Sequence, residues 1–374
     1  MSVVLPPGEF LLRLASPDPA ARVILADTTT DWARLLELAA FHGLRPLLRD
    51  RLPDALPAAA RMALNAAVAD NIARGLFLCG ELVKITDAFA ASSLPFVPFK
   101  GPVLARQLLG QTTSREFADL DLLIRRADLP AAAAVLGELG YRPETPPPAR
   151  HRRLWERWQN ELMYTRPGTP GCVELHWQIA PPFLPLTVDV GQLIETAVPA
   201  PFENRTIRQL PPPSLLVLLC VHGARHAWNA LGWLADVAAL IRTFPAADWD
   251  AADHTARSWH ARRMLALGLQ LVTAIPGVVL PPPAVALAGA APPAPVAERI
   301  RAGWLAGQPL PPRRELYRSF AVCLDSAADR ARLYARLVCQ PTAADLQWVS
   351  LPEWLGWLYP AVRPLRLLVS PAPD

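Results

Sequence analysis

The sequence predicts a mixed α/β (α+β) protein, with a central mixed sheet over about residues 90–212 and helical regions over 1–89 and 213–374. Three observations carry this reading. Apolar residues recur at three- and four-residue spacing through Trp32–Phe41 and Ala60–Ala90 with few breakers, which is the period of an amphipathic helix. Between residues 94 and 140 short apolar runs alternate with helical patterns in the order β-α-β-α. Beyond Pro211–Pro213 the chain returns to helical periodicity. At 374 residues the chain exceeds the size at which one hydrophobic core keeps growing, so two or three subdomains are expected.

In chain order, residues 8 to about 90 read as helical, and Leu94–Phe99 reads as a short strand feeding a Lys100-Gly101 turn. Val103–Leu109 suggests a short helix, Ala118–Ile124 a strand, and Leu129–Leu139 an alanine-rich helix closed by Gly140. A proline-rich loop, Pro143–Pro148, precedes an Arg-, Trp- and Glu-rich segment at Arg152–Glu161. Strands are expected at Glu161–Thr165 and Cys172–Gln178, joined by a turn at Pro167–Gly171. A last short strand is placed at Arg205–Leu210. Helices are then expected at Leu215–Ile241, Ala256–Ala274 and Ala327–Leu337, with loops near 280–296 and 307–313. There is no internal repeat.

Composition excludes several classes. An apolar fraction of 52% rules out a disordered chain. Thirty-seven basic against 33 acidic residues give a net charge of only +4, and the arginines are scattered, so no nucleic-acid track is indicated. The five cysteines are isolated and odd in number, as in a reduced, cytoplasmic protein. No secretory signal is read at the N-terminus, and the apolar windows at Leu215–Val221 and Met264–Leu280 are too short or too broken to span a membrane.

The chemistry concentrates at Asp119 and Asp121. On a strand, residues i and i+2 share a face, so two mutually repelling carboxylates converge inside an apolar segment. A divalent cation, most often Mg²⁺, that also holds nucleotide phosphates gives such a pair its reason. Glu174, with His176 two residues on, supplies a third carboxylate on another strand. Two aspartates can bridge two metal ions on a triphosphate, and the third carboxylate can ligate the second ion or act as base on an acceptor hydroxyl. Arg115 and Lys100 would neutralise phosphate charge, and Gly101 would let the backbone approach the phosphates at a helix N-terminus.

The pattern FKGPVLARQLLG…SREFADLDLLI followed by VELHW resembles the nucleotidyltransferase superfamily typified by DNA polymerase beta. More closely it resembles the superfamily's bacterial uncharacterised nucleotidyltransferase family, and segments 219–241 and 351–368 resemble that family's helical segments. The resemblance implies a polymerase beta-like nucleotidyltransferase core at about 90–212, metal-binding roles for Asp119 and Asp121, a third-carboxylate role for Glu174 and a phosphate contact for Arg115. It implies NTP as donor and Mg²⁺ as cofactor. The wider superfamily places a Gly-Ser turn closer to the acidic pair. Here Lys100-Gly101-Pro102 stands in its place without a serine, which leaves Ser114 or Thr113 to supply a hydroxyl.

The expected activity is Mg²⁺-dependent transfer of a nucleoside monophosphate from an NTP to an acceptor hydroxyl or phosphate, releasing pyrophosphate. The acceptor is either a small molecule or a protein or peptide natural product; a non-catalytic nucleotide- or partner-binding member of the fold is the alternative. His176 is either a site residue beside Glu174 or a packed strand histidine. His222 and His226 are spaced i, i+4 but lack a third zinc ligand. With Asn229 and Asp236 they form one helical stripe that either lines an acceptor pocket or packs. Trp228, Trp233, Trp354 and Trp357 read as core or helix-packing residues, and the RPLR stretch at 363–366 as a solvated helix end.

Overall fold

The computed structural model describes residues 7–16, 31–51, 56–145, 150–246, 248–290, 294–306 and 312–369. Four helices come first: α1 (Pro7–Leu14), α2 (Trp32–Phe41), α3 (Arg45–Arg51) and the long α4 (Ala58–Ala91). The central region then runs β1 (Phe96–Pro98), α5 (Gly101–Leu109), β2 (Asp119–Ile124), α6 (Leu129–Glu138), β3 (Arg142–Pro143), α7 (Arg152–Trp158), β4 (Glu161–Thr165) and β5 (Cys172–His176). Its five strands form one mixed sheet in the order β1-β2-β5-β4-β3, in which only the β2–β5 pair is parallel. The expected mixed α/β architecture is present.

Strand alternation divides the sheet. Leu120, Leu122 and Ile124 of β2, Val173 and Leu175 of β5, and Leu162 and Tyr164 of β4 pack against Leu82 and Phe89 of α4 and Leu136 of α6. Full burial of each such side chain contributes about 1.5–3 kcal/mol. The opposite face carries Asp119, Asp121, Glu174, His176 and Glu161.

The strand at Arg205–Leu210 is observed as β7 (Arg205–Gln209), but it lies outside the central sheet. After α8 (Val190–Thr196), β7 pairs only with β6 (Val198–Phe202) in a separate two-stranded ribbon. Pro199 and Pro201 in β6 carry no N–H to donate to a ladder, which suits a ribbon and not a sheet interior.

The remaining helices are α9 (Pro212–Arg225), α10 (Leu231–Thr243), α11 (Asp248–Ser258), α12 (Arg262–Val272), α13 (Pro282–Ala288), α14 (Ala294–Ala306), α15 (Arg313–Val322), α16 (Ala327–Cys339), α17 (Ala343–Trp348) and α18 (Tyr359–Val369). Phe10, Leu14, Leu35 and Leu38 from the N-terminal helices share one core with Leu216 and Met264 of the C-terminal ones and with Trp228 between α9 and α10. The two flanking regions therefore close on each other beside the sheet. No helix among the described residues is long and apolar enough to cross a membrane.

Several expectations are corrected. Leu215–Ile241 is not one helix: Ala227 and Trp228 take φ of +50° and +52°, separating α9 from α10. The break seats the Trp228 indole in the core, over Gly223 and Gly268. A Cβ on Gly223 would lie 2.6 Å from that ring. The non-local fit overrides a helical period that is locally intact. Ala256–Ala274 is similarly broken at His260, with φ of +57°. Much of the described part of 280–296 is not loop, since α13 and the start of α14 lie in it; Pro282 and Pro283 open α13 where a proline costs no hydrogen bond. Of the other two loops, 146–149 and 307–311 lie outside the described residues. The RPLR stretch is no solvated end, because Arg363 and Arg366 both pair with the fully buried Asp345. Trp354 and Trp357 are 75% and 70% exposed and so are not core residues.

The same break fixes a buried histidine. His42 accepts from the Leu231 N–H at Nδ1 (3.3 Å) and donates from Nε2 to the Trp304 carbonyl (3.0 Å), which requires the neutral ring. Burial holds its pKa below the ordinary 6.5. The unfolded chain therefore takes up this proton first, and the stabilisation present above about pH 6.5 is lost as pH falls below that value. The melting temperature should drop on going from pH 7.5 to 5, and His42→Gln should make the slope shallower. An unchanged slope would show that His42 is not buried as a neutral ring.

Candidate functional site

Asp121 and Glu174 are cross-strand partners in the parallel β2–β5 register, and Glu161 of β4 lies opposite His176. Asp119, Asp121, Glu174, His176 and Glu161 thus meet on one sheet face from three adjacent strands. They line a cavity of about 380 Å³ with Lys100, Arg115, Arg225, His222, His226 and Trp233.

Positive charge is threaded between the carboxylates. Lys100 Nζ donates to Asp121 Oδ1 at 2.8 Å. His176 Nε2 lies 3.1 Å from Asp121 Oδ1 and 3.2 Å from Glu174 Oε2, and Nδ1 lies 3.2 Å from Glu161 Oε2. Burial alone would lower the pKa of His176, but the surrounding carboxylates lift it to about 10, so the ring is an imidazolium. Burial would likewise raise Asp121, yet Lys100 and His176 hold it well below the usual carboxylate range. Glu161 is held at about 2, against burial, by His176 and Arg225. Asp119 is pushed up to about 6 by burial and by the charge on Asp121.

Gly101 positions this arrangement in a way the sequence reading did not anticipate. Its φ is +58°, and an added Cβ would stand 2.8 Å from the Asp119 carbonyl oxygen. The glycine is required by the approach of β2, between the Lys100 turn and the acidic strand. Gly101→Ala is expected to cost about 1–3 kcal/mol. Denaturant unfolding checks this, and an unperturbed midpoint would sink it.

Other expected site residues are placed differently. Arg115 lines the carboxylate cavity, but its Nε and Nη2 are paired with both carboxylate oxygens of Asp236 of α10 at 2.9–3.1 Å. An ion pair between β2's approach loop and a distant helix captured it. Ser114 accepts from the Gln111 side chain and lines a neighbouring cavity instead of the carboxylate one. His222, His226 and Trp233 do converge, with ring centroids 4.6–5.1 Å apart. Burial lowers both imidazole pKa values, that of His226 to about 3. Asn229 falls in the α9–α10 loop and Asp236 is bound to Arg115, so the four-residue stripe does not form. Glu161 and Arg225, which pair at 3.5 Å, were missed by sequence reasoning. Their only local signal is strand alternation placing Glu161 with Met163 and Thr165, and the register that sets it against His176 is non-local.

Among the described residues, Asp121, Glu174 and His176 form the one cluster able to hold a metal ion, with ligand atoms within 4.8 Å of one another. Asp121 Oδ2 is buried with no hydrogen-bond partner, which costs about 1–3 kcal/mol and would be relieved by a cation. Mg²⁺ takes oxygen ligands. The oxygen donors of Asp121 and Glu174 fit Mg²⁺, with the Asp119 carboxylate on the same sheet face and His176 Nε2 3.1–3.2 Å from both Asp121 and Glu174.

Residues 28–276, about two thirds of the chain, match the model of a family described as uncharacterised nucleotidyltransferase. No curated protein and no solved structure matches the chain.

Proposed function

We propose, from the premise that this chain belongs to the uncharacterised nucleotidyltransferase family, that its carboxylate cavity transfers a nucleoside monophosphate from an NTP to an acceptor hydroxyl or phosphate. The observation that carries this is the convergence of Asp119, Asp121 and Glu174 on one sheet face from two parallel neighbours. The acceptor oxygen attacks the α-phosphorus, the new P–O bond forms, and the α–β bridging bond breaks with its electron pair leaving on pyrophosphate. Bound Mg²⁺, as one ion or two, would polarise the triphosphate and favour the ionised acceptor oxygen. Asp121 would hold the cation, with the Asp119 carboxylate beside it. Glu174, whose side chain is 17% exposed, remains open to the cavity, where it would ligate the cation with Asp121 or receive the acceptor's proton. Lys100 sits where its ammonium can exchange Asp121 for a phosphate oxygen, and Arg225 adds a second cation at the rim. His176 orients Asp121, Glu174 and Glu161 without touching substrate.

Calorimetric titration with ATP, GTP, CTP and UTP, with and without Mg²⁺, tests the reading. Metal-dependent binding of at least one NTP, lost in the Asp119→Ala/Asp121→Ala chain, is the expected result. Absence of any metal-dependent binding, or binding indifferent to the double substitution, overturns it. Pyrophosphate release separates transfer from a purely nucleotide-holding role.

A further inference from the structure

A second cavity of about 380 Å³ lies against the first and shares Arg115, Glu116, Phe117, Ala118 and Trp233 with it. Its apolar walls come from three separate parts of the chain: Leu44 and Leu47 around α3, Leu109 at the end of α5, and Ala235 and Ala239 of α10. Two acidic residues lie on its wall, and both are already neutralised: Asp236 by Arg115, and Glu116 by Arg45. Arg74 of α4 also lines it, half-buried, and makes no ion pair or hydrogen bond among the described residues. The cavity is thus apolar in body with an uncompensated cation, beside a site whose own charge is acidic.

We propose that this second cavity is the acceptor pocket, and that it takes a small molecule with an apolar body and an anionic group held by Arg74. The shared wall puts a ligand seated there next to the carboxylates without occupying the cation position. A volume of this size suits a small molecule and not a folded protein segment. The apolar walls supply affinity by area, and a guanidinium selects an anion of carboxylate, sulfonate or phosphate geometry. The assignment as acceptor rests on the nucleotidyl-transfer reading, whereas the ligand chemistry of the cavity does not.

Two fluorescent probes of nearly the same body test it on the full chain: anionic 8-anilino-1-naphthalenesulfonate and neutral N-phenyl-1-naphthylamine. One saturable sulfonate site per chain is expected, weakened at least tenfold by Arg74→Glu and abolished by Ala235→Trp, which fills the cavity. The neutral probe should bind more weakly and ignore Arg74→Glu. Circular dichroism confirms that both variants fold, and Arg74 lies on the half-exposed side of a long helix, where charge reversal is tolerated. Sulfonate binding unaffected by either substitution, or equal affinity for the two probes, overturns the proposal. Competitive displacement of the sulfonate by MgATP overturns the acceptor assignment, because the cavity would then belong to the nucleotide. Failure of MgATP to bind in the absence of probe sinks the transfer reading alone and leaves the anionic pocket standing.

Discussion

Asp121→Asn is expected to weaken Mg²⁺-dependent NTP binding by more than about a hundredfold, a loss of roughly 3 kcal/mol or more. The substitution is nearly isosteric, so the cost is electrostatic. Asp121 is 2% exposed, its Oδ1 is shared by Lys100 and His176, and its Oδ2 has no partner. An amide in its place either turns its NH₂ toward two cations or offers that NH₂ to the incoming metal. Both orientations set the positive end of the amide dipole against a cation. Calorimetry with MgATP reads the effect, with a thermal midpoint to establish that the chain is folded. Wild-type affinity in the variant would remove Asp121 from the site.

Asp236→Ala is expected to destabilise the fold by about 3–5 kcal/mol, since it leaves the Arg115 guanidinium uncompensated. The side chains of this pair are only 15% and 7% exposed, so solvent cannot take over the role of the carboxylate. Burial opposes the charge on Arg115, and Asp236 more than offsets it, with smaller help from Asp119 and Asp121. The paired replacement Arg115→Met/Asp236→Leu should recover most of the loss, because apolar residues of similar volume often match a buried ion pair. Chemical denaturation of the three chains decides the matter. A loss below about 1 kcal/mol in Asp236→Ala would mark the pair as weak and return Arg115 to phosphate binding.

Much of the acidic site is legible in the sequence because a strand has a period of two. Asp119 with Asp121, and Glu174 with His176, share a face by that period alone, and the surrounding leucines and valines identify the strands. The boundaries of β2, β4 and β5 follow closely for the same reason. What failed did so where distant groups decide. The α9–α10 break is invisible in a run whose local period is helical, because its cause is a tryptophan seated over glycines of two helices. Arg363 and Arg366 look solvated until Asp345, on another helix, is brought beneath them.

The sequence by itself determined the mixed α/β class, the acidic strand and its two-residue spacing, because these depend on local periodicity and on the cost of charge within an apolar run. Only the tertiary structure decided which cations meet those carboxylates. It gave Asp121 to Lys100 and His176, paired Arg115 with Asp236, and added Glu161 and Arg225. Each of these partnerships joins residues far apart in the chain, and its strength comes from burial that exists only once the sheet and the helices beside it have closed.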